Sequence, residues 1–389
     1  MPAHDLIVIG ASAGGVEAAT ALVAGLPADL SAAVCVVVHM RAYAESRLTE
    51  VLGRAAAVPV VVAQQGAPLR AGTVHVAVPD MHLLVEPGGE HGTLRLTRGP
   101  KENRARPAVD PLFRSAALAF GPRVIGVILS GALDDGTAGL WAVRDRAGLA
   151  VVQDPTDALV ASMPQSALNE VGADHVAAAA ALGPLLGRLA REPAAAAPAA
   201  GPSGGDGGAP HERAGEPPTS LLEREVAMAT IDEGMHQRSE RYGRPSRFSC
   251  PDCGGVLWNV AADGPLRFRC ETGHAYSPAS LAEMQTEKIE EALWAALRAI
   301  EDRVEFARIR AARATEFRLA AFAQQFTVQE EAAQQHATVL RSLLRLDGRT
   351  GIRPLAEQMP VGGVRATDGA GPDARPRPAA PLADRPPGR

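Results

Sequence analysis

Residues 6–9 form an unbroken apolar run that passes directly into Gly10-Ala11-Ser12-Ala13-Gly14-Gly15 and then into a helical pattern from Val16. A serine therefore sits on a glycine-flanked turn between a predicted strand and a predicted helix. The glycines let the backbone turn sharply and hold the hydroxyl clear of the sheet, near N–H groups that can receive an oxyanion. The alternation continues to about Leu189, with predicted strands at 6–9, 32–38, 58–63, 74–78, 94–97, 124–129 and 150–153 and helices at 16–25, 44–53, 110–119, 137–146 and 165–170. That pattern predicts an α/β fold, a doubly wound and mostly parallel sheet, because runs as apolar as 33–38 and 124–129 suit central strands covered on both faces. The less apolar segments 74–78, 81–86 and 94–97 are expected to form an antiparallel excursion, with turns at Pro79-Asp80 and Pro87-Gly88-Gly89.

Two further strand ends carry polar residues at equivalent places. His39 ends the run 32–38, and Asp134-Asp135 follows the run 124–129. Open parallel sheets bind their ligands beyond the carboxyl ends of the strands, so all three positions meet at one sheet edge. A serine needs a base to take its proton and a third group to hold that base in the right tautomer, and His39 and Asp135 supply both. Either aspartate also suits a plain Asp-Asp-Gly turn that caps the helix from Thr137. A dinucleotide loop fits less well, because Ser12 replaces the middle glycine of its fingerprint and His39 stands where an acidic residue would bind ribose. No Gly-Lys-Ser/Thr follows, which excludes a Walker loop.

A hydrophobic fraction of 46%, 21% charged residues and a formal net charge of −5 describe a globular chain without the basic face of a nucleic-acid binder. No basic segment precedes the first apolar run and no eighteen consecutive residues are apolar, so a cytoplasmic protein without direct membrane insertion is expected. The chain has 4 cysteines, too few for a disulfide scaffold, and Cys35 reads as a buried strand thiol.

Four separated segments now carry a resemblance: 7–15 (IVIGASAGG), 36–40 (VVVHM), 106–110 (RPAVD) and 127–136 (VILSGALDDG). In this order they resemble the catalytic domain of the chemotaxis protein-glutamate methylesterases, over about residues 5–189. The resemblance implies a serine hydrolase that removes methyl esters from glutamate side chains on the cytoplasmic helices of chemoreceptors, with chemotaxis-type signalling proteins as partners and no cofactor for catalysis. It also implies Ser12 as nucleophile, His39 as base, Asp135 as the orienting aspartate, and oxyanion or substrate contacts near Ala13 and Ala132. Some relatives have threonine after the serine, methionine at the position of Ala132 and asparagine at that of Asp134. The best-known members carry a phosphoacceptor domain ahead of the catalytic one, and here the match starts at Asp5, so control in cis by phosphorylation is not expected. Glutamine deamidation at the same site, or a catalytically idle module that binds methylated receptor helices, are the alternatives.

The remainder divides by composition. After a catalytic domain at 1–192, an alanine-, proline- and glycine-rich linker is expected at 193–219, a short helix and zinc-ribbon-like segment at 220–278, a helical hairpin or coiled coil at 279–346, and a disordered tail at 347–389. Cys250, Cys253, Cys270 and His274 have the spacing C-x2-C and C-x3-H, a closed tetrahedral set suited to structural zinc. Ser220–Glu223 and Ser280–Glu283 each have the spacing of a capping box that opens a helix. Beyond the second, Leu293, Leu297, Ile300, Val304 and Ala307 make an amphipathic stripe.

Overall fold

The computed structural model describes residues 3–42, 46–88, 92–195, 220–230, 243–260 and 264–346. Of the expected linker only residues 193–195 are among them, and the expected tail lies outside the described residues.

The first half runs β1 (Leu6–Ala11), α1 (Gly15–Ala24), β2 (Ala33–Val38), α2 (Leu48–Ala55), β3 (Val60–Val62), β4 (Val74–Val76), β5 (His82–Glu86), β6 (Thr93–Thr97), α3 (Val109–Phe120), β7 (Val124–Ile128), α4 (Thr137–Asp145), β8 (Leu149–Gln153), α5 (Ser162–Glu170), β9 (His175–Ala177) and α6 (Ala179–Leu189). Seven strands form one sheet in the order β3-β4-β2-β1-β7-β8-β9, every pair parallel. β1 and β2 are buried throughout, and alternate residues serve opposite faces. Ile7, Ile9, Val34 and Val36 pack with Leu22, Leu182 and Leu186 on one side; Leu6, Val8, Cys35 and Val37 pack with Leu112, Phe113 and Leu140 on the other. Each such aliphatic side chain contributes about 1.5–3 kcal/mol on burial. The fold is therefore the doubly wound α/β sheet.

Segment 74–78 departs from expectation. β4 lies parallel between β3 and β2, so of the three segments β5 and β6 alone pair antiparallel. The alternating Val74-His75-Val76 looks half solvated, yet His75 is buried and its Nε2 accepts the Arg70 N–H at 3.4 Å. β9 and α6 lie outside the predicted elements, since Pro184 and two glycines interrupt the helical pattern of 179–189.

In the second half, α7 (Leu221–Ala229) opens with the predicted capping box, Ser220 Oγ accepting from Glu223 N and Glu223 from Ser220 N. β10 (Arg244–Ser249), β11 (Val256–Val260), β12 (Arg267–Cys270) and β13 (Ala275–Tyr276) form an antiparallel four-stranded sheet in chain order. α8 (Pro278–Glu316) and α9 (Ala320–Leu346) form a helical hairpin. Leu297 and Ala307 of the predicted stripe are buried in its seam, and the Arg341–Glu301 pair at 2.6 Å ties its two arms. α8 begins two residues before the expected cap: Pro278 is pre-set for the first turn, and Ser277 Oγ accepts the Ser280 N–H at 3.0 Å. Among the described residues no helix is long and apolar enough to cross a membrane.

Candidate active site and metal centre

Ser12 follows β1 at the point where the chain order in the sheet reverses, between β2 and β7. Its N–H donates to the Ser130 carbonyl at 2.9 Å. Ser130 Oγ in turn donates to the Ala13 carbonyl at 2.7 Å and accepts the Val160 N–H at 2.9 Å, so the turn is tied to the end of β7. Gly14 has φ 72, and a Cβ there would stand 2.7 Å from Ser130 Oγ. Only glycine fits both the left-handed backbone and the contact.

His39 is anchored by its N–H, which donates to the Ala11 carbonyl at 3.0 Å. Its Nε2 lies 2.6 Å from Asp135 Oδ2, which leaves Nδ1 as the ring nitrogen available to a hydroxyl. Asp135 Oδ2 also accepts the Val109 N–H at 2.7 Å, and Oδ1 accepts from Asn103 Nδ2 at 2.9 Å and Asp110 N at 3.3 Å. Val109 and Asp110 open α3, so the carboxylate caps a helix N-terminus. Gly10 permits this approach, since a Cβ on it would stand 2.2 Å from Val109 Cγ1. Burial alone would raise the Asp135 carboxyl, but the His39 hydrogen bond and charge, the Val109 N–H and Asn103 together hold it below its ordinary range.

Around it lies a buried polar network. Asn103 Nδ2 also donates to Asp110 Oδ2 at 3.0 Å, and the Gly139 N–H donates to Asp110 Oδ1 at 2.6 Å. Burial and the neighbouring Asp135 push the Asp110 carboxyl up to about 7. Glu102 takes Arg114 on one oxygen and Arg269, at 3.1 Å, on the other, and Arg269 reaches Glu225 of α7 at 3.5 Å. Asp134 accepts from Ser277 Oγ at 2.6 Å, and burial raises its carboxyl to about 6 against that hydrogen bond.

Ser12, His39, Asp135 and Ala132 line one cavity of about 460 Å³, whose wall also carries Asn103 and four cations, Arg41, Lys101, Arg104 and Arg106. Ala13 is exposed beside Ser12. Arg106 pairs with Asp80 at 2.6 Å and Arg104 with Glu283 and Glu287 of α8, whereas Arg41 and Lys101 have no carboxylate partner among the described residues. Sequence reasoning misses Asn103, Arg104 and the α8 cap. The motif 106–110 stands beside the first two, but their partners lie far along the chain.

Residues 7–186 match the family described as CheB methylesterase. A relative from Leptospira interrogans, whose name is that of a putative protein-glutamate methylesterase/protein-glutamine glutaminase, is 34% identical over 186 residues, which is 48% of this chain and 95% of that protein. The chain belongs to the CheB methylesterase family. A protein-glutamate methylesterase/protein-glutamine glutaminase of Nocardioides sp. is 42% identical over 49% of this chain and 52% of its own length. Among solved structures, the CheB methylesterase catalytic domain of Thermotoga maritima aligns with 48% of this chain and 98% of its own, at 31% identity and a TM-score of 0.46.

The cysteine cluster lies beyond the CheB methylesterase match. One ligand atom from each of Cys250, Cys253, Cys270 and His274 falls within 4.8 Å of all the others. Cys253 Sγ is 3.6 Å from Cys270 Sγ, and His274 Nδ1 is 3.7 Å from Cys250 Sγ and 3.5 Å from Cys270 Sγ. A tetrahedron with Zn–S of about 2.3 Å and Zn–N of about 2.0 Å has edges of about 3.5–3.8 Å. The donor set and these three distances therefore fit zinc, and four such ligands would leave no place for a reacting water.

Proposed function

We propose that this chain is a serine hydrolase that removes methyl esters from glutamate side chains, with Ser12 as nucleophile, His39 as base and Asp135 as the residue that orients His39. The observation that carries the reading is the convergence of Ser12 with the His39–Asp135 pair, 2.6 Å apart, in one cavity at the carboxyl ends of adjacent parallel strands. The family and the names of its members support the ester as substrate.

In this reading Ser12 Oγ attacks the ester carbonyl carbon as its proton passes to His39 Nδ1. The buried Asp135 carboxylate keeps the other ring proton on Nε2 and stabilises the imidazolium. The tetrahedral intermediate expels methanol with the proton from His39. A water deprotonated by the same nitrogen then attacks the acyl-Ser12 ester, releasing the glutamate carboxylate and restoring the hydroxyl. Backbone donors near Ala13 and Ala132 receive the oxyanion, each worth about 2.7–4 kcal/mol. Attack on a glutamine side chain follows the same path with ammonia as leaving group.

The protein substrate in this reading is the cytoplasmic helical region of a chemoreceptor, and Arg41 and Lys101, which have no carboxylate partner among the described residues, offer the cavity wall to an acidic segment of it. Zinc at the four-ligand cluster completes a module with little core of its own, Leu257, Phe268, Tyr276 and Leu281 being its main buried side chains. Labelling by a fluorophosphonate tests the assignment. Wild type should label at Ser12 and Ser12→Ala should not; an unlabelled wild type contradicts it.

A further inference from the structure

The zinc-ribbon sheet does not stand apart from the α/β domain. β13 follows His274 directly, and its Ala275 N–H donates to the Lys101 carbonyl at 3.3 Å while the Ala275 carbonyl accepts the Asn103 N–H at 2.8 Å. The cavity-wall loop thus pairs with the strand that leaves a metal ligand. Arg269, one residue before Cys270, holds the Gly273 carbonyl at 2.9 Å and buried Glu102 at 3.1 Å. The cap of α8 then completes the grip: Asn103 Oδ1 accepts the Ser277 N–H at 2.9 Å and the Ser280 hydroxyl at 3.0 Å.

With these bonds the Asn103 amide has no spare capacity. Its two N–H groups go to Asp110 and Asp135 and its oxygen takes two donors from α8. Turned over, it would set its oxygen against two carboxylates and its N–H groups against two donors. Ser277 and Ser280 therefore select the orientation that serves Asp135. The backbone carries the same message. Asn103 and Arg104 have φ 47 and φ 70, consecutive left-handed residues without a glycine. Such a pair persists where surroundings over-determine it. Here the surroundings are Ala275, Ser277 and Ser280 on Asn103, and Glu283 and Glu287 on Arg104.

We propose that Asn103 is a positioning residue for Asp135, and that the four-ligand module sets it, so that the reactivity of Ser12 depends on metal loading of Cys250, Cys253, Cys270 and His274. The proposal rests on the serine-hydrolase reading and on zinc as the metal. Loss of the metal loosens β13 and the start of α8, frees Asn103 and Arg104 to relax, and withdraws one donor from Asp135.

The experiment compares full-length protein loaded with Zn2+, stripped by a chelator, and reloaded with one equivalent of Zn2+. Three quantities are read: the rate constant for fluorophosphonate labelling, hydrogen exchange of residues 100–110, and the resonance of the His39 Nε2 proton. Stripping should slow labelling about tenfold to a hundredfold, as a displaced orienting group does. It should also speed exchange in 100–110 but not in β1 or β7, and shift the His39 proton, all reversed by reloading. Asn103→Ala, with zinc retained, should slow labelling and shift the same proton, and stripping should then add little. Unchanged labelling on stripping, a chain that labels fully yet binds no zinc, or an Asn103→Ala protein with wild-type labelling and proton resonance would each overturn the coupling. A loaded wild type that fails to label overturns the serine-hydrolase reading itself, and the coupling with it.

Discussion

The Val109 N–H donates to Asp135 Oδ2 at 2.7 Å, onto the same oxygen that takes His39 Nε2. The helix that fixes the aspartate is itself fixed by the absence of a side chain on Gly10, which lies in β1 two residues before Ser12. One close approach therefore links the strand that leads into Ser12 to the carboxylate that holds His39. Gly10→Ala should push Val109 away, cost about 1–3 kcal/mol of stability as an overpacked core does, and slow labelling at Ser12. Urea unfolding and fluorophosphonate kinetics on the same sample check both effects.

Asp135→Asn preserves volume but reverses the hydrogen bonding. Its amide NH2 would face either His39 and Val109 or Asn103 and Asp110, donor against donor in each case. Ester hydrolysis should fall by about 10⁴-fold, the scale of a misassigned histidine tautomer, and the buried donor clash should lower the thermal midpoint by the few degrees that about 1–3 kcal/mol represents. Steady-state kinetics beside a melting curve separates the two.

Much of this is legible in the sequence, for a physical reason. Runs such as Ala33-Val34-Cys35-Val36-Val37-Val38 are buried on both faces, so their apolarity marks central parallel strands, and Ser12, His39 and Asp135 follow such runs closely. The apolar pattern misleads where burial and polarity part company. His75 is polar yet buried, which disguises β4 as an exposed strand. Pro184 hides α6, held in place by packing rather than propensity. Asn103 carries no signal, because its meaning lies in Asp135, Ser277 and Ser280, partners that only the folded chain assembles.

Glu102 predicts an acid response. Burial favours its neutral form, but Arg114 and Arg269 outweigh this and hold the carboxyl at about 2. An unfolded glutamate takes up its proton near pH 4.3 on the way down, at about two units higher. The unfolded chain therefore binds protons first, so the stabilisation is complete above about pH 5 and is lost as pH falls from there toward 2. The urea midpoint should drop over that window, and Glu102→Gln should lower it at pH 6 while weakening the pH dependence.

The proposed zinc site predicts its own stoichiometry. The purified chain should hold one zinc, and Cys270→Ser should lose it and melt the β10–β13 sheet, whose small core cannot replace the ligand bonds. Elemental analysis with hydrogen exchange across 244–276 measures both.

The most direct test is methanol release from chemoreceptor fragments methylated on glutamate, with the intact protein and Ser12→Ala assayed side by side. The account predicts release by the wild type and its loss in the variant, with the fold of both intact. Equal release from the two, or none from a folded wild type whose cavity is open to substrate, would contradict esterase chemistry at Ser12.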